Sequence, residues 1–458
     1  MRKILTLIAG TMITGSLLAG GLVTNNNQSA TFTRMQNRNT STSIDAVYYN
    51  PAGLARLEDG FYASINNQVI GQTKTVTSDY RYLTGTPVDY VGKVSAPIFP
   101  GVYVAYKTGK LAFSAGFNPI GGGGGAKYDT GLPSFEMDIS DLKPKLTGMG
   151  LATTAYEADI FFEGTSIYFG YQANISYQIN DMISAAVGAR YVSAKNTYNG
   201  HISDIKINPL HPVANPTAAM VSAPVFFTNI GQAGYAAATA NREVDVEETG
   251  SGFAPVLGLH VAPFDGLNMS LRYEFKTKLE LTTKVIDNKS AGIFTDGEKV
   301  VADMPAMLAV GVDYKLMDNL VLAYTFNMYF DKNTDYDGSD LLEVNMIDKN
   351  FLEYGVGAEY GISENFRISA GWLATSTGVN ADYQSDLRYS TNTNSFGAGF
   401  GVSITPMIDL NIGGQYTFYK EGDKTFNHIL NTNPIATTET YNKKTWVIGA
   451  GLDFAFGK

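Results

Sequence analysis

Residues 408–418 read Ile-Asp-Leu-Asn-Ile-Gly-Gly-Gln-Tyr-Thr-Phe. Ile408, Leu410, Ile412, Tyr416 and Phe418 share one parity, and Asp409, Asn411, Gly413, Gln415 and Thr417 share the other. Successive side chains of a strand point to opposite faces, so one face here is apolar and the other polar. The pattern recurs in Leu320, Leu322, Tyr324, Phe326 and Met328 against Ala323, Thr325 and Asn327, and in Leu352, Tyr354, Val356 and Tyr360 against Glu353, Gly355 and Glu359. Residues 267–276 and 166–177 repeat it.

A soluble sandwich also alternates, but its strands average about five or six residues. These segments run to about ten, the length a tilted strand needs to cross a bilayer. Tyr, Phe and Trp recur at their ends, as in aromatic girdles. The polar parity carries Arg190, Arg272, Glu274, Glu353, Glu359, Arg367, Asp409 and Asp453, charges that suit a lumen. The spacing predicts fourteen strands: 61–70, 100–107, 110–118, 165–179, 183–196, 252–262, 267–283, 304–315, 320–330, 350–361, 365–376, 394–405, 408–420 and 443–456. An even number suits a single-chain bacterial barrel. Short turns such as Asn180-Asp181 and Phe264-Asp265-Gly266 alternate with long loops over 131–163, 201–250, 284–303, 331–348, 377–392 and 421–442. The expected fold class is therefore all-β: a membrane-spanning antiparallel β-barrel of about fourteen strands.

Composition agrees. The chain has 458 residues, 48 of them glycine, 28 tyrosine and 25 phenylalanine, with 17% charged residues and a net charge of -10. An acidic chain is a poor partner for nucleic acid, because neutralising phosphate takes clustered Lys and Arg. With no cysteine there is no disulfide, thiolate metal site or Cys nucleophile. Met1-Arg2-Lys3, an apolar stretch and a small-residue exit at Ala19-Gly20-Gly21 have the layout of a secretory leader over 1–21. The last strand presents Trp446, Ile448, Leu452, Phe454 and Phe456 on one parity, two residues short of the chain end.

Residues 22–58 lack any period of two. They run through Asn25-Asn26-Asn27-Gln28 and Asn39-Thr40-Ser41-Thr42-Ser43 to Val47-Tyr48-Tyr49-Asn50-Pro51-Ala52-Gly53-Leu54. A segment of this size fits inside a fourteen-strand barrel, whose lumen is otherwise open. The expected organisation is a leader at 1–21, a plug at 22–58 and a barrel at 59–458.

The Asn-Thr-Ser-Thr-Ser stretch, the Asn50-Pro51-Ala52 motif ahead of the first strand, and the run Phe113 to Asp129 make the chain resemble the long-chain fatty acid and hydrocarbon transporter (FadL/TodX) family of outer-membrane proteins. The likeness of layout covers essentially the whole chain. It implies a monomer in the outer membrane of a Gram-negative bacterium, plugged by an N-terminal hatch, with outer-membrane lipid around it. It also implies passive uptake of a hydrophobic small molecule, caught by extracellular loops, passed through an apolar interior pocket and released sideways at a kinked strand. By motif, Asn50, Pro51 and Ala52 carry over as hatch residues near the route. The rival readings are a general porin for polar solutes and a surface adhesin barrel.

Strand 110–118 ends in Asn118-Pro119, followed by Gly121, Gly122, Gly123, Gly124 and Gly125. Proline lacks the N–H a ladder needs, and glycine tolerates unusual dihedrals. This cluster is the candidate lateral opening; a flexible loop is the plainer alternative. It is not a phosphate loop, because Lys127 has no Ser or Thr after it. Loop 201–250 is unusually apolar, and Met220, Val225, Phe226 and Phe227 are its candidate capture residues, either as a groove or in a capping helix. Asn333, Asp335 and Asp337 open a weak calcium-loop pattern, but position 12 is Val344 where a Glu is needed. His201, His211, His260 and His428 have no metal-pair spacing. No nucleophile elbow or acid pair is present, so no enzyme and no cofactor are expected.

Overall fold

The structure, a computed structural model, describes residues 22–287, 294–334 and 346–456. The expected leader at 1–21, and Asp335 and Asp337 of the acidic loop, lie outside the described residues.

Its strands are β1 (Gly60–Ser78), β2 (Val88–Thr108), β3 (Leu111–Tyr128), β4 (Tyr156–Gln178), β5 (Ile183–Ile207), β6 (Val221–Ser222), β7 (Arg242–Phe264), β8 (Leu267–Glu274) and β9 (Glu280–Val285). They continue with β10 (Lys299–Val301), β11 (Met307–Met317), β12 (Leu320–Tyr329), β13 (Phe351–Ser363), β14 (Phe366–Ser376), β15 (Thr393–Thr405), β16 (Ile408–Tyr419), β17 (Gly422–Leu430) and β18 (Asn433–Phe456). β9 and β10 extend β8 and β11, β6 is a two-residue patch on β5, and β17 folds back on the upper part of β18. The remaining fourteen form a closed antiparallel barrel. β1 closes it by pairing with both β2 and β18, from Phe61 opposite Phe456 to Ser78 opposite Glu439. Closure leaves neither the first nor the last strand with a free edge, as a wall in lipid requires.

Through the lower half of the wall the alternation has the expected sense. Val187, Leu271, Tyr324, Val356, Phe396 and Ile448 are exposed on the outside, while Arg190, Arg272, Thr325, Gln415 and Thr417 are buried inside. The tight turns 109–110, 265–266 and 318–319 lie at this end.

Several strands run well past their expected ends. β1 runs on to Ser78 and β2 begins at Val88, and the two pair as far as Ser78 opposite Val88. β3 runs on to Tyr128 through the glycine cluster, which is therefore wall and not loop. The expected loop 201–250 is strand at both ends, with β5 reaching Ile207 and β7 starting at Arg242; the expected loop 421–442 is the β17–β18 hairpin. The physical reason is that the period of two persists while its chemistry inverts. Above the lower half, Val76, Tyr90, Val94, Tyr128, Tyr198, Val246 and Tyr441 are buried on the inner face, while Lys93, Lys127 and Lys195 point outward. A parity rule tuned to an apolar outer face stops where that inversion begins.

Candidate functional site

The N-terminal segment lies inside the barrel and touches its wall on all sides. It contains short helical turns at Ala30–Arg34, Ala46–Tyr49 and Pro51–Arg56. Arg34 forms an ion pair with Glu359 of β13 and donates to Ser369 of β14 at 2.6 Å. Asn26 donates to Glu353 of β13, Asn39 to the Val310 carbonyl of β11, and Gln172 of β4 to the Val47 carbonyl. Tyr48 sits between the guanidinium groups of Arg190 and Arg272, 4.8 and 4.6 Å from its ring. Such an aromatic face between two cations is favourable when desolvated.

Part of the high glycine content is explained here. A Cβ at Gly357, Gly371, Gly397, Gly413 or Gly449 would fall on Met35, Gln36, Thr33 or Arg34 of the enclosed segment. These lumen-facing glycines make the room it occupies.

Within the segment, Arg38 holds Asp45 through two 2.9 Å hydrogen bonds, with Ser41 and Ser29 also donating to the carboxylate. Burial alone would raise the Asp45 carboxyl, but Arg38 and the two hydroxyls outweigh it and hold the group below its ordinary range. Asn50 Nδ2 lies 3.0 Å from both the Ser41 carbonyl and His260 Nδ1. The Pro51 and Ala52 carbonyls accept from Ser176 and Ser184 at 2.6 and 2.7 Å. The Asn-Pro-Ala motif is thus a knot fastening the segment to β4, β5 and β7 near the short-turn end.

The wall itself is broken beside β3. β2 and β3 pair from Thr108 opposite Leu111 up to Val102 opposite Phe117, and again from Val94 opposite Ala126, but not between. On the other side, β3 takes six steps from Pro119 to Gly125 while β4 takes four from Phe169 to Thr165. β3 therefore carries two extra residues, a bulge that bends the strand and ends local pairing. Gly122 and Gly124 adopt φ of 90° and 63°, which side chains with a Cβ resist. Residues 118–124 are buried on both parities, so the bulged stretch is turned inward.

The start of the enclosed segment lies along this bulge. Asn25 N donates to the Ile120 carbonyl at 2.8 Å and Gly122 N to the Val23 carbonyl at 2.9 Å. Gln28 Nε2 donates to the Pro119 carbonyl at 2.9 Å, and Asn118 Nδ2 to Gln28 Oε1 at 2.6 Å. Asn118, Pro119 and Gly121–Gly125 are thus one side of the break. The other side, Ser95–Gly101 of β2, was not singled out from sequence, although Pro97 and Pro100 there lack ladder donors and could have signalled it.

Above the break, the inner wall and the loops enclose an apolar cluster that includes Ile70, Val94, Phe99, Tyr128, Phe162, Tyr198 and Phe294. Two helical excursions stand at the mouth, Pro133–Ser140 with Leu142–Gly148, and Ala223–Asn229 with Ala233–Ala238. Phe226 and Phe227 do not line an open groove. Both are buried in a cluster with Ile139, Leu142 and Leu146, so they hold the two excursions together. Two adjacent rings on a short helix bury more area in that joint than on a wet surface. Val225 is exposed and Met220 half-buried. A groove of about 110 Å³ does open between the excursions, lined by Phe135, Asp138, Ile139, Tyr235 and Arg242 among others.

Asn333 sits in a short helical turn. Among the described residues, one group has metal-ligand proximity, Asp138, Asp141 and His428, which no sequence spacing indicated because β17 supplies the histidine. Asp141 already accepts from Tyr80 at 2.5 Å and from His428 and Lys145 at 3.0 Å. Burial favours its neutral form, but these donors outweigh it and lower its pKa, so the cluster reads as a satisfied network.

No family model matches the chain, and no curated protein does. Solved structures do. A Pseudomonas aeruginosa FadL homologue aligns over 96% of this chain and 100% of its own, with a TM-score of 0.66 at 14% identity. The Pseudomonas putida toluene transporter TodX aligns over 95% and 99%, with a TM-score of 0.58 at 13% identity. The Ralstonia pickettii toluene transporter TbuX aligns over 91% and 94%, with a TM-score of 0.52 at 16% identity. The likeness is one of fold and spans nearly the whole molecule: this protein has the fourteen-strand barrel architecture of the FadL and TodX transporters.

Proposed function

We propose that the protein is a passive outer-membrane channel for hydrophobic small molecules, of the FadL/TodX family. Ligand enters by the groove between the helical excursions, collects in the apolar chamber, and leaves through the wall between β2 and β3. The observation that carries this reading is the paired absence of ladder contacts over Ser95–Gly101 and Asn118–Gly125. Unpaired backbone in lipid is costly, and it is tolerated where protein covers it or where it lines a cavity. Here the bulge is turned inward against the N-terminal segment, so the wall has a side port with an internal cover. Residues 22–58 serve as the hatch and 59–458 as the barrel. A general porin is disfavoured because the same segment fills the lumen. The chain acts as a monomer and needs no cofactor.

Deleting Gly122 and Gly123 removes the two surplus residues and brings β3 back into step with β4. Uptake of a hydrophobic substrate by cells should then fall severely, while heat-modifiable mobility shows that the barrel still inserts. Normal uptake by an inserted deletion variant would rule out the side port.

A further inference from the structure

Lys444 of β18, Thr73 of β1, Lys93 of β2 and Lys127 of β3 are successive cross-strand partners, so they form one row over four adjacent strands. The row lies on the outer face, where Thr73, Lys93 and Lys127 are exposed and Lys444 is half-buried. It crosses the closing seam and ends on the first outward-facing β2–β3 pair above the break in the wall.

Its neighbours mark its depth. Going up β18, the outward positions pass from Ile448 and Trp446 to Lys444 and Asn442. The exposed Phe418 of β16 lies directly beside Lys444. Aromatic residues collect at head-group level. The row therefore stands where the apolar band of the wall gives way to the head groups of the leaflet on the long-loop side.

The charges of the row are not compensated within the protein. Lys195 and Lys299, also exposed on the upper strands, pair with Glu247 and Glu280 at 2.6 and 2.7 Å. Lys93 and Lys444 have no carboxylate partner among the described residues. Lys127 pairs with Asp129 at 3.0 Å, and Glu163 of β4 faces it across the ladder, but both members of the ion pair are more than half exposed and such a pair is weak. Lys93 and Lys127 stand directly opposite each other, an arrangement of like charges that destabilises a sheet unless an anion sits outside it.

The donor set selects the anion. Neighbouring strands lie about 5 Å apart, so Lys444 and Lys93 are separated by about 10 Å with the Thr73 hydroxyl between them. Flexible stems let the two ammonium groups converge. Two ammonium groups and a hydroxyl can serve three oxygens at once, which a phosphate monoester presents and a carboxylate does not. Tails attached to that phosphate would run down over Trp446 and past Ile98, the exposed apolar residue in the unpaired stretch of β2. A soluble anion has no use for that apolar floor.

We propose that Lys444, Thr73 and Lys93, with Lys127 at the flank, bind a phosphate-headed lipid of the surrounding leaflet and hold it at the upper lip of the wall break. The site requires the barrel to span the membrane and is independent of what the channel carries.

The test is native mass spectrometry of the full chain in a non-ionic detergent, titrated with dioleoyl phosphatidate and with dioleoylglycerol, which share tails and differ by the phosphate. The wild type should bind phosphatidate about tenfold or more tighter, the scale of a hydrogen bond to a charged group. In a Lys93→Gln/Lys444→Gln variant that keeps its heat-modifiable mobility the preference should disappear, while Lys195→Gln, on the same outer face, should leave it unchanged. Equal affinities in the wild type would overturn the site, and that comparison needs no variant to fold. A preference that survives the double substitution, or an equal loss in the Lys195→Gln control, would also overturn it. Displacement of phosphatidate by an equal concentration of inorganic phosphate would overturn the lipid as occupant.

Discussion

Thr24 and Gly121 form an isolated antiparallel bridge, with Thr24 coming from the enclosed N-terminal segment and Gly121 from the bulge of β3. The segment thus supplies, over two residues, the strand partner that β2 withholds. A Cβ at Gly121 would fall on the Val23 carbonyl, so the bridge requires glycine. Gly121→Val should push residues 22–28 off the bulge. The expected outcome is faster proteolytic cleavage near Asn25–Gln28 with the barrel intact; unchanged cleavage would mean that the contact is incidental.

Removing residues 22–58 should leave an inserted barrel with a much larger conductance in planar bilayers. The lumen glycines that now face Met35, Gln36 and Arg34 would then face water. A large conductance in the intact chain that is unaffected by the deletion would favour the porin alternative.

Phe226→Ala with Phe227→Ala should loosen the joint between the two helical excursions, because both rings are buried against Ile139, Leu142 and Leu146. Losing a buried Phe costs about 3–5 kcal/mol in a packed core. The measurement is limited proteolysis at 133–148 and 208–241, where both stretches should become susceptible together. Unchanged protection would show that the rings do not join them.

The Arg38–Asp45 pair sets a pH limit on the hatch. Asp45 is held below its ordinary carboxyl value, so its contribution is complete above about pH 4, the unfolded range, and is lost as pH falls through the lower folded value. Asp45→Asn should free Arg38 at every pH, at a cost of about 3–5 kcal/mol for a broken buried pair. Hydrogen exchange of residues 38–50 would read this as lost protection at pH 7 in the variant, and in the wild type only under strong acid.

The lower wall was legible because lipid imposes one rule on every strand: Leu322, Tyr324 and Phe326 outside, Thr325 and Asn327 within. Above the bilayer that rule reverses, and Lys93 and Lys127 point outward while Tyr90 and Tyr128 pack inward. The expected strands therefore stopped short at 70, 118 and 196. The glycine cluster was singled out, but its other edge at Pro97 and Pro100 was not, because only the pairing of β2 with β3 brings the two together. The same holds for Phe226 and Phe227. Their apolar character was plain, but whether they faced a ligand or the Leu142 helix depended on a partner far away in sequence. The row of Lys444, Thr73 and Lys93 could not be read at all, since each is an ordinary polar residue until the first strand meets the last.

That meeting has a consequence for biogenesis. The seam between β1 and β18 joins the first strand to the last, so it can zip only after every other strand is available, and it is one of the longest ladders in the wall, running from Phe61 to Ser78. Its inner surface is not complete without the enclosed segment: the Ala30 amide donates to Asn66 of β1 at 3.1 Å, and Gly449 and Gly451 of β18 are hollowed for Thr33 and Ala30. Residues 30–33 thus line the seam from inside, and a side chain added at Gly449 should be felt first as a lower yield of closed, heat-modifiable barrel, before any defect in transport.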